Sequence, residues 1–261
     1  MRSITHLLWV SCILLSAGSM AQNETELYDE VVVPYHHQWY GGAIVHSNGF
    51  GANVTYALYR DVKNLRLFGF EAVFMKHEKE IRRWNPLAQQ DSRSYIFGKT
   101  NNFYILRPYI GKKHIISEKL RKSGVQFAYN WYVGPAIGIT KPVYLTIGYP
   151  EPFNPDYFLS EKFDPQKHYI DNIYGRASSL LGLNELSVYP GGFAKFSLTF
   201  EYSSEMERLK SLETGIAVDA FGKRVPIMSQ EILDEYEDGA KNHQVFITLF
   251  LNLSFGKKYT D

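Results

Sequence analysis

The sequence predicts an all-β protein, an eight-stranded antiparallel transmembrane β-barrel with short turns at one end and long loops at the other. Three observations carry this. Apolar and polar residues alternate with period 2 in segment after segment, and a strand sends alternate side chains to opposite faces. The alternating segments number eight, and the connections between them fall into a short class and a long class by side. Aromatics are abundant, with 19 Tyr and 17 Phe in 261 residues, while the mean hydropathy is only -0.25, which suits amphipathic strands better than apolar helices.

The first segment stands apart from the barrel. Arg2 supplies a positive start, "LLWVSCILLSAG" an apolar core and Ser19-Met20-Ala21 a small-residue cleavage site before Gln22. That core is shorter than the roughly 20 apolar residues of a spanning helix, so residues 1–21 read as a signal peptide and 22–261 as a single barrel domain. The only cysteine, Cys12, lies in the signal, which leaves the mature chain without a thiol, a disulfide or a Cys-based metal site. A closed barrel, which has no unpaired edge, is then one source of stability.

Strands are expected at 36–46, 50–60, 65–78, 102–112, 124–147, 187–203, 209–222 and 243–257. In the second, Ala52, Val54, Tyr56 and Leu58 oppose Asn53, Thr55, Ala57 and Tyr59; in the third, Phe68, Phe70, Ala72 and Phe74 oppose Gly69, Glu71, Val73 and Met75. The fourth places Arg107 opposite Tyr104, Leu106 and Ile110. The fifth sets Val125, Phe127, Tyr129, Trp131 and Val133 against Gln126, Ala128, Asn130, Tyr132 and Gly134. It contains Pro135 and the Lys141-Pro142 step, so it bends or bulges as one strand or divides into two; one strand preserves the alternation of sides. The sixth is the cleanest, with Ala194, Phe196, Leu198, Phe200 and Tyr202 against Lys195, Ser197, Thr199 and Glu201. The seventh sets Leu212, Ile216, Val218 and Ala220 against Glu213, Gly215, Ala217 and Asp219, and the last shows Val245 to Phe255 at every second residue.

Between strands, "HSNG" reads as a tight turn with positive φ at Asn48-Gly49. Connections 61–64, 113–123 and 204–208 lie on the side of the termini; 79–101, 148–186 and 223–242 lie opposite with the tight turn. "NIYGRASSLLGL" and "SQEILDEYEDGAK" have helical composition, read as surface loop with a helical turn or two.

A soluble lipocalin-like barrel would also have eight strands and an export signal. Two features favour the membrane. The large apolar face runs for about the 9–11 residues that a tilted spanning strand requires. Aromatics lie near strand ends (Trp39, Tyr40, Tyr129, Trp131, Tyr202, Phe255, Tyr259), as interfacial girdles do. The opposite face carries both signs of charge, Glu71, Arg107, Lys195, Glu201, Glu213 and Asp219, which in a narrow lumen form a paired network.

The signal segment, the eight strands and the closing "FITLFLNLSFGKKY" resemble a small outer-membrane β-barrel protein of the kind abundant in Bacteroidota; "GGAIVHSNGFGANVTY" and "KHEKEIRRWNP" resemble a recurrent exported family. The resemblance implies the cell outer membrane, short periplasmic turns and long extracellular loops. It also makes Phe250, Leu251, Leu253 and Phe255 an insertion signal for the barrel-assembly machinery, although Gly256 to Asp261 follow where the commonest form ends on the aromatic.

The formal net charge of +1, with no basic run carrying interleaved aromatics, argues against nucleic acid. His46-Ser47 is the nearest nucleophile–base candidate, but adjacent strand residues point to opposite faces, so no catalytic residue is assigned. His36, His37, His77 and His114 lack the spacing of a closed metal site, and Asp156, Asp164, His168 and Asp171 lack that of a hard-cation loop, so no cofactor or metal is expected. The densest charge run, Lys76 to Trp84, with Arg82 and Arg83, is a solvated loop base or a contact for lipopolysaccharide phosphates. The leading expectation is a non-enzymatic scaffold or accessory subunit of an envelope assembly or secretion complex. A lipid-modifying enzyme and a narrow pore remain as alternatives.

Overall fold

The computed structural model describes residues 35–86, 93–117, 124–151, 155–203, 207–231 and 239–260. The expected signal segment lies outside the described residues. The strands are β1 (His37–His46), β2 (Gly49–Tyr59), β3 (Asn64–Met75), β4 (Arg82–Arg83), β5 (Tyr95–Ile96), β6 (Asn101–Ser117) and β7 (Gln126–Pro142). They continue with β8 (Tyr144–Tyr149), β9 (Tyr157–Lys162), β10 (Ile173–Arg176), β11 (Ser187–Glu201), β12 (Arg208–Phe221) and β13 (Val245–Tyr259).

Eight of them close an antiparallel barrel in the order β1-β2-β3-β6-β7-β11-β12-β13. Closure is made by β1 and β13, from His37↔Tyr259 to His46↔Phe250. Along β13 the exposed set is Val245, Ile247, Leu249, Leu251, Leu253 and Phe255, and the buried set is Phe246, Thr248, Phe250, Asn252 and Ser254. The apolar face therefore looks out. A period-2 pattern leaves two answers, and the pairing of every strand with both neighbours selects this one, because turning β3 over would put Glu71, and turning β12 over Asp219, on the outer face.

The outward face is charge-free over its central band. Its charged side chains gather at the end near the termini, at Arg66, Lys112, Arg208, Lys210 and Lys257, with Lys141 at the other end. Trp131 pairs with Lys112 and Trp39 with Lys257, so an aromatic belt and a cationic belt coincide there. Trp39 packs on Tyr56 at 4.8 Å and His37 on Tyr259 at 5.0 Å. Phe50, Phe74 and Tyr104 form a second outward aromatic row at the long-loop end, with centroids 5.6 and 5.2 Å apart. Two aromatic rims around an apolar band are the arrangement of a membrane-spanning barrel. Tyr40 departs from the expected girdle: it belongs to the buried set of β1 and faces the lumen.

Four further expectations are corrected. Residues 124–147 form two strands: β7 ends at Pro142, and β8 leaves the barrel wall to join a separate three-stranded sheet ordered β10-β8-β9. The chain stays extended across the break, which is why alternation alone could not find it. The barrel count remains eight. "NIYGRASSLLGL", expected as loop with a helical turn or two, also carries the strand β10, because Ile173 and Tyr174 are taken up by sheet packing; 3-10 turns at Ile170–Asn172 and Leu183–Glu185 stand at its two ends. At the tight turn Ser47 and Asn48 are the central residues, and only Gly49 has positive φ, at 157°; a Cβ there would lie 2.0 Å from the Phe74 carbonyl oxygen. Against the expected bounds of 65–78 and 102–112, β3 stops at Met75 and β6 runs on to Ser117. Most of "SQEILDEYEDGAK", residues 232–238, lies outside the described residues.

Above the barrel the long connections pack on one another. Tyr95, Phe97, Val143, Leu145, Ile147, Phe163 and Ile173 form a separate core under the three-stranded sheet. Residues 225–228 turn inward instead: Val225, Ile227 and Met228 join Phe103, Phe221 and Phe246 at the mouth of the lumen. Buried Asn242 holds this inward turn, accepting from the amides of Ile227 (2.9 Å) and Met228 (3.2 Å) and donating to the Met228 carbonyl (2.8 Å). Asn242→Ala strips these partners at a cost of about 1–3 kcal/mol. Hydrogen exchange at the Ile227 and Met228 amides should accelerate while the barrel strands stay protected; unchanged exchange would contradict the clamp.

Candidate functional site: a filled lumen and a basic rim pocket

The lumen is filled from mouth to base. Its mouth is aromatic, with Phe103 packing on Phe221 at 5.4 Å and on Phe246 at 5.5 Å. Its middle is ionic. Arg107, from β6, donates to both oxygens of Asp219 on β12, through Nε at 2.8 Å and Nη2 at 2.5 Å, and its Nη1 donates to Glu71 on β3. Lys195, from β11, donates to the other Glu71 oxygen at 2.9 Å and lies 3.9 Å from Glu213. Glu213 is further held by Ser197 (2.6 Å), Tyr132 (3.0 Å) and Asn252 (3.0 Å). The Lys195 ammonium also sits over the rings of Tyr132 (4.6 Å) and Phe250 (4.5 Å).

The six charged residues picked out in the sequence are therefore all buried in the lumen, but in two groups. Glu71, Arg107, Lys195, Glu213 and Asp219 form the central group. Glu201 lies toward the base, where Lys258 donates to it at 2.7 Å and Lys113 approaches to 4.0 Å. Sequence reasoning missed Lys113 and Lys258. Their signal was available in the alternation: Lys113 shares a face with Arg107, and Lys258 with Asn252 and Ser254. Including them, among the described residues four cations (Arg107, Lys113, Lys195, Lys258) face four carboxylates (Glu71, Glu201, Glu213, Asp219), so their formal charges balance. Such balance matters because an unpaired ion in a low-dielectric interior costs several kcal/mol.

Glycines make room for this packing. Gly69 faces inward, where a Cβ would come within 2.5 Å of the Tyr109 ring; its absence lets Tyr109 reach Thr55 at 2.6 Å. Of the four residues of the expected insertion signal, Leu251, Leu253 and Phe255 face outward, whereas Phe250 points inward beneath Lys195.

The histidines are absorbed by local structure. His46 is buried on the lumen side and its Nδ1 accepts from the Asn48 amide (3.3 Å), closing the turn; Ser47 belongs to that turn. His77 Nδ1 accepts from Lys79 (3.1 Å), His114 bonds Asn64 (2.9 Å), and His168 accepts from the Asp164 amide (2.9 Å) and meets Glu161 (3.2 Å). Among the described residues no three His, Cys, Asp or Glu side chains converge as metal ligands.

Outside the lumen, a pocket of about 480 Å³ opens at the long-loop rim. Lys76, Arg82, Arg93, Lys99 and Arg176 line it, with Glu80 as its carboxylate and Phe74 and Trp84 as aromatic walls. Lys99 is buried and donates to Glu80 at 2.6 Å, 5.6 Å above the Phe74 ring. Burial lowers its pKa from the ordinary lysine value; Lys76 and Arg176 add to this, while Glu80 opposes it. Of the arginine pair expected to act together, only Arg82 lines the pocket. In a strand, neighbours point oppositely, and Arg83 is not among the lining residues.

Among solved structures, the chain is similar to Ail, the attachment invasion locus protein of Yersinia pestis, solved in complex with the heparin analogue sucrose octasulfate. The identity is 9%, over 85% of this chain and 97% of that one, with a TM-score of 0.41. Neisserial surface protein A (NspA) is similar at 8% identity, over 86% of this chain and 97% of that one, with a TM-score of 0.38. No family model and no curated protein matches the chain.

Proposed function

We propose that this chain is a closed outer-membrane barrel of the small Bacteroidota type, without catalysis of its own, serving as a scaffold or accessory subunit of an envelope assembly or secretion complex. The observation that carries this reading is the contrast between a lumen filled with side chains and an outer end built into a folded platform. A filled lumen offers no path for solute. The platform has its own apolar core and, among the described residues, an edge strand, β9, whose Tyr157, Phe158 and Leu159 are exposed. An open edge with apolar side chains is a template for pairing with another chain.

Two measurements test it. In planar bilayers the refolded protein should show conductance near zero; steady single-channel currents would favour a pore. After mild detergent extraction from native membranes it should copurify with a defined partner, and replacing Phe158 by Lys should weaken that association without altering heat-modifiable migration. A chain that always runs alone would overturn the subunit role. Lipid A of unchanged mass with and without the protein is the expected result for a non-enzyme.

A further inference from the structure

We infer that the rim pocket binds the phosphorylated headgroup of an outer-leaflet glycolipid, lipopolysaccharide being the expected source. Three independent features of the pocket converge on this chemistry.

The first is charge. Four exposed cations reach the pocket from four different segments: Lys76 after β3, Arg82 on β4, Arg93 before β5 and Arg176 at the end of β10. None of these four has a carboxylate partner among the described residues. The acidic wall, Glu80, is already engaged by Lys99. Like charges gathered by separate elements repel, and a cleft of one sign focuses its field on a counter-ion. Guanidinium groups match phosphate oxygens with paired donors.

The second is rigidity. The Arg176 amide donates to the Arg93 carbonyl at 3.2 Å, and Gly175 lets the two backbones approach: a Cβ there would stand 2.7 Å from that carbonyl. Arg82 is fixed by pairing with Ile96 in the β4–β5 ribbon. The cations are thus placed by backbone rather than gathered by a ligand.

The third is position. The pocket shares Phe74 with the outward row Phe50-Phe74-Tyr104, and Trp84, 70% exposed, stands at its side. An amphiphile seated here would set its phosphate among the arginines and its chains along the lipid-facing aromatics. A free anion would use only the first half of the site. At about 480 Å³ the pocket falls in the range, about 300–1,000 Å³, of small-ligand sites.

This inference rests on the membrane-spanning barrel and not on the scaffold role, and its test is independent of copurification. The refolded full chain in detergent is equilibrated with diphosphoryl lipid A, with dephosphorylated lipid A, or with inorganic phosphate plus diphosphoryl lipid A, and retained lipid is counted by native mass spectrometry. Diphosphoryl lipid A should be retained about tenfold or more over the dephosphorylated form, the preference worth one well-placed charge-assisted contact. The triple substitution Arg82→Ser, Arg93→Ser, Arg176→Ser should abolish that preference, and the three Arg→Lys changes should keep part of it. Unaltered heat-modifiable migration establishes that the variants are folded, as expected for exposed side chains. Equal retention of both lipids by the unaltered protein, or an undiminished preference in the triple Ser variant, would overturn the proposal. Displacement of lipid A by inorganic phosphate at equal concentration would also overturn it, in favour of a soluble anion.

Discussion

Replacing Arg107 by Met should destabilise the barrel by about 3–5 kcal/mol, the cost of removing one partner from a buried ionic group. The guanidinium bonds two carboxylates on different strands, Asp219 and Glu71, and all three side chains are almost fully buried. Glu71 keeps Lys195 when Arg107 is lost, whereas Asp219 has no second cation in contact among the described residues. Adding Asp219→Asn to Arg107→Met should therefore recover most of the loss, since the orphaned charge is removed together with its partner. Lys258→Met should cost less than Arg107→Met, because its ammonium lies nearer the open base of the lumen, with a side chain 10% exposed, and Glu201 also has Lys113 nearby. The readout is the denaturant midpoint of the refolded protein in detergent, with heat-modifiable migration as the check on closure. A loss equally large in the double variant would show that the arginine acts through packing, such as its contact with the Phe193 ring, rather than through charge pairing.

The second large effect separates a membrane face from a water face. Leu251 lies near the middle of β13, points outward and is 49% exposed on the isolated chain. Leu251→Arg should destabilise the barrel in a lipid bilayer by about 2–4 kcal/mol, the cost of a cation at mid-depth on a lipid-facing strand. Phe255→Arg, beside Lys210 and one turn of the pleat from Lys257, should cost only about 0–1 kcal/mol, as near-interface positions do. The two replacements differ little in water. A barrel that lost nothing with Leu251→Arg in bilayers would have to carry solvent on this face, and the assignment of the apolar band would fail.

Much of the fold was legible because the sequence signals were two-sided. In β11, Phe196 and Phe200 alternate with Lys195 and Glu201; a single register satisfies both sets, since a slip by one residue would exchange ions for aromatics on the outer face. The same alternation contained Lys113 and Lys258. They fall outside the expected strands, which stop at 112 and 257, each one residue short; the strands run on to Ser117 and Tyr259, with Lys112 and Lys257 facing out and their neighbours in. The end of β7 was illegible for a related reason. Leaving the barrel at Val143 changes which strand is the partner without changing the extended backbone, and partner choice leaves no mark on local periodicity.

The rim pocket shows the limit most clearly. Arg82 stood out in a dense charge run, but Arg93 and Arg176 were isolated arginines in loops with no common pattern. Only the packing of β8, β9 and β10 over Tyr95 and Phe97, and the Arg176–Arg93 backbone bond, brings them to one opening. By itself the sequence determined the number of barrel strands and six of the eight described lumen ions, and the charges on one face indicated that the other meets lipid, because each follows from a period of two repeated along the chain. Which ions pair, where the long loops turn inward and where cations from distant segments converge were decided by tertiary structure, because these depend on contacts between residues whose separation along the chain carries no physical signal.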